Sequence, residues 1–480
     1  MAKKKPDKAQ VATEASGRVR TLTTISYANM VNAGDTQLVS NLWPQIMGST
    51  INPGPAALGG MFTASRILQS VTAPAWGWWS DRYSRRRILS IGCFIWAVFT
   101  IMTGLASQSI DLLVWQLLMG VGLAVIVPTT QSLVADYYPP QKRGKAFGIL
   151  GLAGLLGAIF GTIFATGVAG LGEITLLGLT IESWRFVLFT WGLLSLFTGV
   201  VVLLFAKDPL RGGLEPELTK VLTQQKAERY KVKRSDYKKI LTNRTFVLIL
   251  VQGVAGSIPW TGLLFLITWL QYVGFESLTS GIILAFMILG TAMGNLFGGL
   301  IGDRAARWRP RSGRILIAQI SVFSGIPMTY VMFLLIPMRM DSIILYTLAG
   351  AFTGFLISWC SNACNSPIFS EIFEPEIRST VYSVDTMIEG SAGAIGTLLV
   401  GALAEIFFGY KPVPPNVVIS TLPEAIRIPN ALALSNAMFL TAFIPWTLCL
   451  IFYTFVYKTY PRDIEKMRKK LERRGKELER

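Results

Sequence analysis

Apolar residues fall along this chain in blocks of about twenty, each long enough to cross a bilayer core of roughly 30 Å as a helix. Breaks of charge, proline and glycine separate twelve such blocks. They lie near 20–47, 57–80, 88–106, 111–136, 144–170 and 184–206 in the first half, and near 245–273, 279–301, 314–337, 342–370, 379–407 and 432–458 in the second. The longest polar connection, LFAKDPLRGGLEPELTKVLTQQKAERYKVKRSDYKKI, lies between the sixth and seventh blocks and leaves six on each side. The pattern predicts an all-α membrane protein of twelve transmembrane helices in two six-helix bundles. The expected organisation is a basic tail over 1–19, a first bundle over 20–206, a central loop over 207–244, a second bundle over 245–458 and a basic amphipathic tail over 459–480.

Composition agrees. Hydrophobic residues make up 51% of the chain and charged ones 15%, against about a quarter charged in soluble proteins. The net charge of +17 would by itself fit a nucleic-acid partner. Its placement argues otherwise. With the N-terminus inside and the spans alternating, 40 of the 45 Lys and Arg fall in the inner segments, while Arg339, Lys411 and Arg427 lie outside and Arg66 and Arg185 lie in or at the edge of spans. That asymmetry follows the positive-inside rule. The basicity is topological and calls for no nucleic acid. It predicts a multi-pass protein of the cell membrane with both termini in the cytoplasm and the lipid bilayer as its surroundings; a monomer is the expected state. No small-residue cleavage site follows the first block, so no removable signal peptide is expected. In the tail PRDIEKMRKKLERRGKELER, Ile464, Met467, Leu471 and Leu478 share one stripe. It reads either as an amphipathic helix on the inner, anionic membrane surface or as a solvated charged helix.

Two short patterns recur at matching places in the halves. GWWSDRYSR from Gly77 and GLIGDRAAR from Gly299 both read Gly-x-x-x-Asp-Arg-x-x-Arg, each at the end of the second span of its half. DYYPPQKRG from Asp136 and EIFEPEIRS from Glu371 both run acid, proline, arginine and a small residue after the fourth span. Such an internal duplication is a transporter architecture, with the binding site between the halves near mid-membrane.

Twelve spans, a basic central loop and these loops together resemble the major facilitator superfamily over about 20–458, and the resemblance implies the major facilitator fold. It also implies a gating motif at Gly77, Asp81, Arg82, Arg85 and Arg86, with Ser84 in place of the usual glycine, and an echo at Gly299, Asp303, Arg304 and Arg307. NMVNAGD, SLVADYYPPQKRGKAFG and SGRILIAQISVFSGIP resemble Spinster-type carriers, which implies an amphipathic lipid substrate. SIPWTGLLFLITWLQYVGF and NSPIFSEIFEPEIRSTVYSVD are closer to a set of plant facilitator proteins. The chain departs from the Spinster pattern at Thr36, Gln116 and Leu123, where that family carries arginine, arginine and glutamate.

Ionisable groups inside spans cost about 2.5–3.5 kcal/mol each on insertion scales and therefore point to function. Asp35 and Arg66 fall at the same depth, about 21 Å from the inner end of adjacent spans. An ion pair between them is expected, either as a static packing pair or as one that exchanges Asp35 for Glu389 or an anionic substrate. Asp385 and Glu389 lie one turn apart on span eleven. Asn29 and Asn32 on span one, Gln252 and Trp260 on span seven, and Asn362 and Asn365 on span ten are either substrate ligands or interhelical hydrogen-bonding groups. Glycines 151, 154, 157 and 161 are expected to allow close helix packing. The chain has no histidine, and no phosphate-binding loop or paired metal motif is present. The expectation is therefore not an enzyme, with no cofactor and no metal. It is a secondary or facilitative transporter of a small or amphipathic, anionic or lipid-like solute, working by alternating access, with H+ or Na+ as candidate coupling ions. A non-transporting sensor with a carrier fold is the alternative.

Overall fold

The computed structural model describes residues 8–138, 140–176, 178–208, 234–360, 364–373, 377–414 and 417–478. Helices account for nearly all of it, and each expected block is a helix or a broken helix. Ten of the twelve pass a test of length and apolarity for crossing a membrane. Spans one and two, Lys8–Asn41 and Pro55–Arg82, are 34 and 28 residues long. At 1.5 Å per residue they reach about 51 and 42 Å, so length is not what they lack; their polar positions dilute the apolar signal. Large apolar side chains such as Phe197, Leu296, Phe323, Ile344 and Phe352 are exposed. In water such a surface would be an association site; on these helices it is the face for lipid.

Of the described residues, those in Met1–Leu42 and Leu68–Glu228 form one compact unit, and those in Trp43–Ile67 and Arg229–Arg480 form another. In the first unit, span one packs on span five (Pro140–Ala169), and span three (Arg85–Gly104) on span six (Ser183–Phe205) and span four. The glycines expected to permit close packing do so at two places: Gly157 lies against the Met30 carbonyl and Gly161 against Gly34. Trp191 of span six covers Gly34 and donates from Nε1 to the Val31 carbonyl at 3.2 Å. Span four breaks at Ala124–Val125, between Ser109–Leu123 and Ile126–Tyr137. Pro128 explains the break, since it offers no N–H to Ala124 and its ring crowds that carbonyl. Spans five and six are joined by a β-hairpin, Glu173–Leu176 antiparallel to Leu179–Glu182.

The second unit holds spans seven to twelve together with Trp43–Ile67, a segment that the hydrophobic pattern assigns to the first bundle. Side chain and backbone hold it there. Thr63 Oγ1 donates to the Ala394 carbonyl at 2.6 Å, Glu405 Oε1 accepts from the Ala56 N–H at 2.9 Å, and Asn52 Nδ2 donates to the Val413 carbonyl at 2.9 Å. Gly59 lies directly against the Thr397 carbonyl and Gly401 against that of Pro55, approaches that a side chain would prevent. The basic tail expected to begin at 459 is not separated from span twelve: one helix runs from Glu424 to Leu478, 55 residues. Of the central loop, residues 209–233 lie outside the described residues; Arg234–Thr242 is helical.

Candidate functional site

Three spans of the second unit are interrupted near their middles. Span seven runs Arg244–Gly262, tightens into a 3₁₀ turn at Leu263–Phe265 after Pro259, and resumes as Leu266–Val273. Span eleven is divided into Arg378–Gly393 and Ile395–Ile406. In span ten the α-helix Ile343–Ile357 ends in a turn at Ser358, and a further α-helix, Ser366–Ile372, has proline in its first turn. Irregular backbone at membrane depth is tolerated where it lines a cavity, and a cavity of about 230 Å³ lies there. Span seven supplies Gln252, Gly253, Ser257 and Trp260, span eight supplies Thr291 and Asn295, and span ten supplies Ser358, Cys360 and Asn365. Glu389 of span eleven and Trp446 and Cys449 of span twelve complete the polar and aromatic wall.

Local packing fixes these groups. The Glu389 carboxylate lies against the bare Cα of Gly253, where any side chain would collide with it. Ser257 Oγ donates to the Glu389 carbonyl at 3.2 Å, and Thr261 Oγ1 to that of Gly393 at 2.5 Å, pinning span eleven to span seven. Asp385 lies one turn from Glu389 on the same helix, Arg378–Gly393. Asn365 Oδ1 accepts from the fully buried Tyr453 hydroxyl at 2.9 Å, and the Gln252 amide hydrogen-bonds Cys449. Three oxygens of this cluster have no hydrogen-bond partner: Gln252 Oε1, Asp385 Oδ1 and Glu389 Oε1. Each is an acceptor. The described residues lining the cavity include no Lys or Arg.

Of the expected site residues, the structure brings Gln252, Trp260, Asn365 and Glu389 to one cavity and places Asp385 one turn from Glu389. Asn362 lies outside the described residues. Arg66 is not on the cavity wall; its guanidinium stacks over the Phe62 ring, 5.0 Å from the centroid. Asp35 is fully buried in the first unit, and Oδ2 accepts from Thr100 Oγ1 at 3.1 Å. This hydroxyl of span three is the hydrogen-bond donor that meets the carboxylate. Its other oxygen, Oδ1, has no hydrogen-bond partner, and neither has Asn32 Nδ2. Asn29 serves packing, donating to the Leu150 carbonyl at 2.9 Å. Ser257, Asn295, Ser358, Cys360, Trp446 and Cys449 were not expected at the site. Neutral polar groups and lone cysteines in apolar spans give no signal that separates a cavity wall from helix packing. Among the described residues no cluster of His, Cys, Asp and Glu could hold a metal.

At the basic end of each unit the repeated loops take different forms. In the second unit Arg314, at the start of span nine, bridges Asp303 at 3.0 Å and Glu371 at 3.5 Å, and Tyr460 hydrogen-bonds Glu371. The two recurrent patterns thus meet through an arginine that belongs to neither, while Arg304 and Arg307 are exposed. In the first unit Gly77 and Asp81–Arg82 end span two, but the side chains of Asp81 and Arg82 are outside the described set. Ser84, in the place of the family's glycine, caps span three: its Oγ accepts from the Arg87 N–H and donates to Asp208, which also accepts from the Arg86 N–H at 3.0 Å. An acid at a helix N-terminus is favoured by the helix dipole. Arg85 beside it is buried.

Twelve spans with helices broken around a polar cavity define a carrier of the secondary-transporter class. The chain belongs to the Major Facilitator Superfamily, whose profile matches residues 25–397. It is 24% identical over 395 residues to Protein spinster of Drosophila melanogaster, covering 80% of this chain and 62% of that protein's length. It is 23% identical over 474 residues to Multidrug resistance protein 3 of Bacillus subtilis, covering 85% of this chain and 90% of that one. A solved bacterial homolog of the human lysosomal transporter Spinster, inward-facing and unoccupied, superposes with a TM-score of 0.79 at 20% identity over 93% of this chain and 98% of its own. The chain is thus a membrane transporter of this superfamily, and it is similar to Spinster-type carriers in sequence and in fold.

Proposed function

We propose that the chain is a secondary carrier that moves a small or amphipathic solute by alternating access, with the cavity of the second unit holding the solute's polar part. The observation that carries this reading is Glu389 on the cavity wall with an unpartnered oxygen, backed by Asp385. Two facing carboxyls can share one proton or admit a small cation, so this pair is the candidate site for H+ or Na+ coupling. The cavity's 230 Å³ is below the roughly 300–1,000 Å³ of pockets that enclose drug-sized ligands. It suits a head group or a small solute, and the tail of an amphipathic substrate would lie outside it. An anionic solute was expected from Arg66; that residue is absent from the cavity wall, so the polar contact falls to Glu389, Gln252 and Asn365.

Purified protein in proteoliposomes provides the test. A solute that stabilises the folded carrier is expected to enter carrier-bearing vesicles faster than empty ones, with saturation. Saturable binding without flux would favour a sensor with a carrier fold and would defeat the proposal.

A further inference from the structure

The geometry points to an amine: we propose that the cavity of the second unit recognises the ammonium group of an organic cation. The inference rests on the carrier reading above and gives its substrate a chemical class.

Charge is the first reason. Among the described residues lining the cavity the one ionisable carboxyl is Glu389, and none is a Lys or Arg. Asp385 adds a second carboxyl one helical turn earlier on the same span. Hydrogen-bonding capacity is the second and independent reason. Gln252 is 2% exposed and its Oε1 has no partner. With Glu389 Oε1 and Asp385 Oδ1, the unpartnered polar atoms of this cluster are all acceptors. A buried acceptor left unmade is costly, and these are met by a ligand that donates in several directions. An ammonium has three N–H donors and no acceptor. A carboxylate or phosphate ligand would bring further acceptors to these three unpartnered acceptors. The third reason is the aromatic wall: Trp260 and Trp446 both line the cavity, and indole faces attract cations. Size agrees, since the cavity holds an amine with a short apolar body but not an extended chain.

Three probes of nearly equal shape separate the alternatives: phenethylamine as cation, 2-phenylethanol as neutral isostere and 3-phenylpropionate as anion. Their binding to the full-length carrier in detergent is read from tryptophan fluorescence or calorimetry. The expected result is that the amine binds about tenfold or more tightly than the alcohol, as a hydrogen bond to a charged group implies, and that the anion does not compete. Glu389→Gln is expected to reduce the amine's affinity about tenfold and leave the alcohol's unchanged. Equal affinities for amine and alcohol, tightest binding of the anion, or an unchanged amine affinity in Glu389→Gln would overturn the inference. If that variant does not fold, Gln252→Leu carries the same test through the amine-to-alcohol ratio, which must fall. Flux is a separate readout. An amine that binds but never crosses the vesicle membrane defeats the carrier reading and leaves the site intact. Saturable flux of another solute with no amine binding does the reverse.

Discussion

Placing a methyl group on Gly253 should displace the carboxylate on which the candidate site is built. The bare Cα of Gly253 on span seven is the surface against which the Glu389 side chain rests. Two terms of opposite sign compete in Gly253→Ala. Replacing glycine within a helix gains up to about 1 kcal/mol in helix propensity. Against it, the new Cβ overlaps Glu389, and overpacking of this kind costs about 1–3 kcal/mol, with about 0.5–1.5 kcal/mol for a carboxylate pushed off its rotamer included in that range. The clash wins or balances, so the variant should be neutral to about 2 kcal/mol less stable. Gly151→Ala on span five is the control, because nothing lies within 4 Å of a Cβ built there; it should be neutral or more stable by up to about 1 kcal/mol. Thermal unfolding of purified variants gives the comparison. The decisive variant is the double, Gly253→Ala with Glu389→Ala, which removes the overlapping side chain and should be more stable than the sum of the single changes by about 1 kcal/mol or more. Strict additivity, or a Gly253→Ala variant that behaves like Gly151→Ala in both stability and flux, would refute the packing on which the site rests.

Other consequences are smaller and independent. Arg314→Ala should lower stability by about 1–2 kcal/mol, because Glu371 loses its cation and Asp303, more than half exposed, loses little; Arg314→Lys should recover only part of it, since an ammonium cannot present a fork to two acids. Ser84→Ala should cost about 1 kcal/mol by removing the cap of span three and the contact with Asp208, seen as a lower unfolding midpoint. Glu405→Ala leaves the Ala56 N–H without its acceptor and should change the protease or crosslinking sensitivity of residues 43–67 before it changes the global unfolding midpoint. A small thiol reagent that enters the cavity should label the partly accessible Cys360 and spare the fully buried Cys93; labelling of Cys93, or labelling of Cys360 that a bound solute leaves unaffected, would count against this cavity.

Much of the scaffold could be read from the chain because lipid leaves a coarse and periodic demand on sequence. Blocks of apolar residues returned the twelve spans to within a few residues at most ends. The two Gly-x-x-x-Asp-Arg stretches each fall at the end of a long helix, Pro55–Arg82 and Ser277–Trp308. What escaped depends on which faces of different helices meet. Arg314 follows the Gly299 pattern at a distance that no motif reveals, yet it joins Asp303 to Glu371. Thr100 is an unremarkable hydroxyl in span three until Asp35 is found against it. The assignment of residues 43–67 to the second unit rests on Gly59 and Gly401, whose value lies in contacts with backbone far along the chain. At the site, the charged and large residues Glu389, Gln252 and Trp260 were legible because a polar or ionisable group in lipid is costly. Ser257, Asn295 and Cys360 were not, because small polar groups are common wherever helices pack.

We propose that the Asp385–Glu389 pair couples solute movement to an ion. Its most direct test is uptake into proteoliposomes of a solute that raises the purified carrier's melting point, measured with and without an imposed pH or sodium gradient, for the native chain and for Glu389→Gln. One of the two gradients is expected to accelerate or reverse flux through the native carrier, and Glu389→Gln is expected to bind or move solute without responding to it. A native carrier indifferent to both gradients, or a Glu389→Gln variant that responds as the native chain does, would contradict it.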